Sequence, residues 1–245
     1  MKTLFFFFLA ALPLFGQSFF DEQKQFPRVK AACEEKDSLL RESFRAKGIP
    51  YPPQQVFLRA FKKDAQFEVW VHDSIKNKFV LAKEYRICAP SGDLGPKRQE
   101  GDLQVPEGFY VVDLFNPTSD YHLALRVSYP NASDSVFGNR KKLGGEIMIH
   151  GDCVTVGCIP LTDDCIKEVY WLCVLAHSNG QRDIPVHIFP TRLNETGMTY
   201  LKKAYESDNA KIRFWENLQE GYLIFEESYI LPNIIVDGSG LYLYR

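Results

Sequence analysis

Two side chains with chemistry of their own stand near the middle of the chain. His150 is followed by Gly151, and Cys158 is preceded by Gly157, with seven residues between the imidazole and the thiol. A free thiol has a pKa near 8.5, so a neighbouring base is needed to supply thiolate at neutral pH. An imidazole is that base, and the pair can open an acyl bond by nucleophilic attack. Glycine lets the backbone approach a carbonyl closely, so N–H groups beside Cys158 could receive the developing oxyanion. Other readings use the same residues. His150, Cys153, Cys158 and Cys165 offer four soft ligands in the order H-x2-C-x4-C-x6-C, which would suit a structural zinc module, although no C-x2-C pair is present. A buried cysteine can also be a small hydrophobe, and His-Gly or Gly-Cys an ordinary turn.

The elements that must position this pair can be read on either side of it. Glu146 to Ile149 is a strand-like run that delivers His150 into a turn, and Ile159 to Leu161 is a second short apolar run after Cys158. Thr162 with Asp163 and Asp164 marks a helix start, a hydroxyl cap followed by acids where the macrodipole favours them. Ile166, Val169, Tyr170 and Cys173 then recur at helical spacing, which predicts a helix over 163–177 with Cys173 toward the core.

Upstream, Val29, Ala32, Cys33, Lys36, Leu39, Leu40 and Phe44 fit one helical face between Phe20 and Lys47, ended by Gly48 and Pro50. Strands are expected over 56–61, 67–71 and 78–87. Phe67, Val69 and Val71 alternate with Glu68, Trp70 and His72 as in a half-buried strand. The segment 89–108 is rich in Gly, Pro and charge, the composition of a long functional loop. Strands resume over 109–115 and 122–127, and a polar segment, 129–143, carries Arg140, Lys141 and Lys142. Further on, a strand is expected over 184–189 and helix over 194–218 with a break near 207–210, continued over 221–229. A small hairpin closes the chain around Asp237-Gly238. Asn131-Ala132-Ser133 matches a weak glycosylation sequon.

Composition bounds the function. The chain has 245 residues, long enough for one large domain, with 45% apolar and 24% charged residues and a formal net charge of -2. That charge gives no electrostatic footprint for nucleic acid. Met1 to Gln17 reads as a secretory leader: Lys2, an apolar stretch from Leu4 to Phe15, and small Gly16 for cleavage. The apolar stretch is shorter than the roughly 20 residues a membrane-crossing helix needs. After removal of the leader, no stable membrane insertion is expected. In an oxidising compartment the six cysteines suggest bridges, but a reactive Cys158 leaves an odd number, and the pairing stays open.

The stretch IMIHGDCVTVGCIPLTDDCIKEVY resembles the signature of the L,D-transpeptidase family (YkuD-type catalytic domain), in its YafK-like branch. The segments SGDLGPKRQEGDLQVPEGFYVVDLFNP, DYHLALRVSYPNASD and FWENLQEGYLIFEE resemble the same branch in the same order. The resemblance runs from about Tyr51 to Val236. It implies an α+β protein with a mostly β, sandwich- or barrel-like catalytic domain and a helix after the catalytic turn. The expected organisation is a leader over 1–16, a helical segment over 17–50, the catalytic domain over 51–192, and a helical extension with a hairpin over 193–245.

The resemblance also implies a periplasmic enzyme acting on peptidoglycan stem peptides, without a cofactor or metal, and with a wall-anchored lipoprotein as a further partner. Cys158 would attack the carbonyl of the diamino acid, and the thioester would pass to an amine or to water. Carried over by position, His150 is the base and the Gly151 carbonyl orients it. Backbone N–H groups at Gly157 and Cys158 form the oxyanion hole, and Thr155 takes a Ser/Thr position of the turn. Val156 stands where the broader family has a second His, and Pro160 where it has an Arg. Substrate carboxylates are therefore expected at Lys97, Arg98 or Arg140. Arg98 is favoured for its two-pronged guanidinium, and its removal should alter kinetics at unchanged stability. Hydrolysis of the same bond, as an L,D-endopeptidase or amidase, is the alternative that Pro160 favours.

Overall fold

The computed structural model describes residues 18–245; the expected leader lies outside the described residues. Two helices open the fold, α1 (Phe19–Lys24) and α2 (Pro27–Ala46). The single helix expected over 20–47 is broken because Pro27 brings no N–H and its fixed φ suits the first turn of a new helix. Leu39, expected on the packing face, is 55% exposed, whereas Val29, Ala32, Leu40 and Phe44 are fully buried.

The strands are β1 (Val56–Phe61), β2 (Gln66–Asp73), β3 (Lys78–Arg86), β4 (Gly108–Asn116), β5 (Ala124–Val127), β6 (Met148–His150), β7 (Ile159–Pro160) and β8 (Ile184–Phe189). They form one mixed sheet in the order β3-β2-β1-β8-β4-β5-β6-β7. Pairing is antiparallel except for β1 with β8 and β6 with β7. Helix α3 (Ala132–Phe137) follows β5, α4 (Asp163–Ser178) joins β7 to β8, and α5 (Glu195–Ala204) and α6 (Asn209–Ser228) follow β8. Strands β9 (Ile234–Val236) and β10 (Tyr242–Tyr244) make the terminal hairpin.

Side-chain alternation assigns the two faces of the sheet to two cores. Val56, Leu58, Ala60, Val186 and Ile188 join α2 and α4 in one core. Phe61, Phe109 and Phe189 join α5 and α6 in another. Strand β2 is consequently buried on both faces, not half-buried. Its polar face is covered because Glu68 is paired inside with Arg59 at 2.8 Å and Arg192 at 2.9 Å, and accepts the Trp70 indole N–H. A buried carboxylate is tolerated only with such partners.

Helix α3 was not expected within the polar segment 129–143. Asn131 caps it: its side chain accepts the Asp134 N–H, and the Asp134 carboxylate accepts the Asn131 N–H. This capping box is legible as N-x-x-D, but the helix has too few apolar positions to show a period. The Asn131 amide also donates to Phe109 O and to the Tyr242 hydroxyl, so the sequon nitrogen is occupied.

Candidate active site

Register brings the pair together. In the parallel β6–β7 ladder Ile149 stands opposite Ile159 and His150 opposite Pro160. One step back places Cys158 beside Met148, whose backbone N–H points at the Cys158 sulfur at 3.3 Å. Ile149 and Ile159 turn into the core, so by alternation Met148, His150 and Cys158 share the other face. His150 and Cys158, the residue just before β7, are thus diagonal neighbours across the β6–β7 ladder.

Each end of β6 is bent through an uncommon backbone conformation. Glu146 and Asp152 have φ of 55° and 61°, and non-glycine residues in this region are few and gather at functional sites. Both conformations are used. Glu146 O accepts the Cys158 thiol at 3.6 Å, and Asp152 N–H donates to Asp163 at the start of α4 at 2.8 Å. Gly151 fits because a Cβ there would come within 2.6 Å of the Asp163 carboxylate and 2.9 Å of the His122 Cβ.

His150 is buried, with Nδ1 2.5 Å from Gly151 O. A carbonyl accepts only, so Nδ1 carries the proton and Nε2 is left free to take one. Burial holds the imidazole pKa below its ordinary value, and the Gly151 carbonyl opposes this more weakly. The imidazole is therefore neutral at pH 7. The Tyr121 ring lies against it, with centroids 4.9 Å apart.

Cys158 follows a turn whose polar atoms are almost all engaged. Thr155 Oγ1 accepts the Cys158 N–H at 2.9 Å and donates to Cys158 O at 2.9 Å. Gly157, at φ 89°, donates its N–H to the Ser91 hydroxyl at 2.8 Å. Burial raises the Cys158 pKa, the Met148 N–H lowers it, Glu146 raises it and Lys97 lowers it. The resting pair is thus thiol and neutral imidazole.

A cavity of about 240 Å³ opens beside the sulfur, lined among others by Ser91, Gly92, Asp93, Lys62 and Lys63. Lys62 is saturated by Gly95 O and Val105 O at 2.9 Å and by Glu107 at 3.0 Å. Lys63 makes no ion pair among the described residues, and its ammonium lies 4.6 Å from the centre of the Tyr200 ring. Of the cations named from sequence, none lines this cavity. Lys97 is buried against Asp102 at 2.6 Å, although its field still reaches Cys158. Arg98 lies 3.6 Å from Asp134 and over the Phe137 and Phe214 rings, a packed position whose loss would lower stability, against the expectation of unchanged stability. Arg140 is exposed and donates to Ser135 O.

The cysteines sort by place. Cys88 and Cys153 form a disulfide that ties the loop carrying Ser91 to the turn carrying Cys158. Cys33, Cys158, Cys165 and Cys173 are free. Cys153 is thereby withdrawn from the H-x2-C-x4-C-x6-C ligand set, and among the described residues no three His, Cys, Asp or Glu side chains gather as for a metal. Sequence reasoning missed Ser91, Lys63 and Tyr121. A serine beside glycine in a long loop was the signal for Ser91; nothing local distinguishes Lys63 or Tyr121.

Comparison with known proteins gives the same direction. The chain is 36% identical over 186 residues to a protein of Escherichia coli K12 described as "Putative L,D-transpeptidase YafK", covering 75% of this chain and 72% of that one. The E. coli O157:H7 protein of the same description matches equally. No family model matches the chain. Among solved structures, the helical cell shape determining protein Pgp2 of Campylobacter jejuni is 20% identical with a TM-score of 0.46, over 76% of this chain and 73% of that one. Bdellovibrio bacteriovorus Bd1075 is 17% identical with a TM-score of 0.41, over 77% and 79%. Identity of 36% to the E. coli proteins over three quarters of the chain places it in the L,D-transpeptidase family, within its YafK-like branch.

Proposed function

We propose that the protein is a peptidoglycan-acting cysteine acyltransferase that works on stem peptides outside the cytoplasm. The carrying observation is the placement of His150 on β6 and of Cys158, the residue before β7, on one face of that parallel pair, with Nδ1 held by Gly151 O. His150 Nε2 takes the Cys158 proton, and the thiolate attacks the substrate carbonyl carbon. The C–N bond to the leaving amine breaks as the imidazolium returns the proton to that nitrogen, leaving a thioester. An incoming amine then gives a new amide, or water a carboxylate. In either case His150 takes the proton of the incoming group and returns it to the sulfur.

Transpeptidation is the first reading, supported by the relatives' description. Hydrolysis, as an L,D-endopeptidase or amidase, is the second, favoured by Pro160 in place of a carboxylate-binding Arg. Lys63 is the cavity cation best suited to a substrate carboxylate in that Arg's absence. Among the described residues no helix is long and apolar enough to cross a membrane. The periplasmic assignment and the cleavable leader rest on the composition of residues 1–17. Mass spectrometry of muropeptides incubated with the purified protein tests the reading: cross-linked dimers mark transpeptidation, shortened or separated stems mark hydrolysis. Wild-type processing by a Cys158→Ala protein would overturn both.

A further inference from the structure

Helices α1 and α2 are docked firmly on α4, the helix that begins just after the site. Glu35 pairs with Lys167 at 2.6 Å, and Lys36 pairs with Asp164. Asp37 accepts the Trp171 indole N–H at 3.0 Å, and Gln23 accepts the Tyr170 hydroxyl at 2.6 Å. From the first turn of α2 the Arg28 guanidinium reaches the β4–β5 connection. It donates there to two carbonyls, Ser119 O and His122 O, the latter at 2.6 Å. Those carbonyls bracket Tyr121, the residue whose ring lies on His150. The connection is constrained further by the Tyr121 N–H, which donates to Ser119 Oγ at 3.1 Å, and by His122 at φ 67°. It also meets the turn after the base directly, because Gly151 N–H donates to Leu123 O at 3.2 Å.

We propose that Arg28 and Tyr121 are positioning residues for His150: α2 holds the β4–β5 connection through Arg28, and Tyr121 thereby fixes and covers the imidazole. The inference rests on the base-and-nucleophile reading of the site. The physical ground is that an imidazole hydrogen-bonded only through Nδ1 can still swing about that contact, and the Tyr121 ring, tilted at 38° against it, limits that swing. A guanidinium bridging two carbonyls is a stiff tether, since its donors are fixed in one plane. The N-terminal helical segment would then serve the site as well as the core. Around the imidazole the ionisable groups are Asp152 in the following turn, Cys158 just before β7 and Tyr121, with His122 and Asp163 packed against Gly151.

The test needs no substrate. The rate of Cys158 alkylation by iodoacetamide is measured from pH 5 to 9 on the full chain, for wild type, His150→Ala, Arg28→Met, Tyr121→Leu and Tyr121→Phe, each with its thermal midpoint. Cys33 and Cys165 are followed separately by peptide mass. Arg28→Met and Tyr121→Leu should slow Cys158 alkylation at neutral pH by about tenfold, within the roughly 10²-fold that small misplacements can cost. Their acid limb should move up, as water reaches the imidazole and relieves the burial that lowers its pKa. Tyr121→Phe, which keeps the ring, should restore the wild-type profile. Wild-type profiles for Arg28→Met and Tyr121→Leu, or a lowered midpoint with no change of profile, would overturn the proposal. Should His150→Ala itself leave the Cys158 profile unchanged, the reading of His150 as base falls, and this inference with it. Normal profiles with no muropeptide processing would count against the substrate alone.

Discussion

The Gly157 amide donates to the Ser91 hydroxyl at 2.8 Å and the Cys158 amide to Thr155 Oγ1 at 2.9 Å, so both N–H groups expected to receive an oxyanion are already bound in the free protein. The Ser91 hydroxyl donates to Leu103 O at 2.7 Å, which anchors it in the loop rather than in the turn. A substrate carbonyl must displace it. Ser91→Ala should therefore lower the thermal midpoint modestly, because it removes hydrogen bonds worth about 0.5–1.5 kcal/mol each. It should leave kcat/KM on muropeptides at or above the wild-type value. A fall of tenfold or more would show that the hydroxyl donates into the hole instead.

Cys158→Ala should abolish turnover, and His150→Ala should reduce it by about 10²–10⁴-fold, the usual range for a general base. The sign of the pH dependence follows from burial. His150 has a lowered pKa and is neutral at pH 7, so activity should hold at neutrality and fall only in acid below the ordinary imidazole range near 6.5. Stopped-assay rates from pH 5 to 9 would check this; an acid limb above pH 7 would contradict it.

Lys63→Met should raise KM for a substrate bearing a carboxylate near the scissile bond by about tenfold, the loss of roughly 1.4 kcal/mol of binding, with little change in kcat. The measurement is steady-state kinetics on purified muropeptides. Unchanged KM would remove Lys63 as the carboxylate contact.

The Cys88–Cys153 bridge closes a sequence separation of 65 residues and joins the two segments around Cys158. Loop-closure entropy gives a stabilisation of about 4 kcal/mol for a loop of that length. A Cys88→Ser, Cys153→Ser double variant should melt lower by several degrees and process muropeptides more slowly at temperatures where it is still folded. Circular dichroism with a parallel activity assay separates the two effects. Equal stability would contradict the bridge.

Asp134 couples the second half of the fold to pH. It accepts the Tyr110 hydroxyl at 2.9 Å, while the 3.6 Å separation from Arg98 is too long for a hydrogen bond. Burial therefore outweighs the guanidinium and pushes its pKa up to about 6. A folded pKa above the unfolded value of 3.8 means that the folded state holds the proton more tightly. Asp134 thus adds stability as pH falls through 6, fully so below 3.8. Relative to Asp134→Asn, the wild type should gain on the order of 1–3 kcal/mol between pH 7 and pH 4, readable by chemical denaturation. A pH-independent difference would show that the carboxylate is ionised throughout.

Local chemistry wrote much of this protein into its sequence. The His-Gly and Gly-Cys turns, the Thr162 cap of α4 and β8 over 184–189 were legible because each depends on neighbours a few residues away. The break at Pro27 was legible in principle from proline alone, but the apolar stripe masked it. Helix α3 was hidden because six residues show no period. Other features arise only when distant segments meet. Ser91 lies 66 residues from the amide it binds, and Arg28 lies 91 from the first carbonyl it holds. Glu68 looked solvent-facing until α6 and Arg59 covered it, which turned β2 from a one-faced strand into a two-faced one. Lys97 and Arg98 looked like free loop cations, and the tertiary structure gave them Asp102 and Asp134 instead. Sequence spacing determines which residues can share a strand end or a helix face, because that geometry is periodic. Which charges stay free, and what lies against the base, depends on contacts between segments far apart in the chain, and only the folded chain decides those.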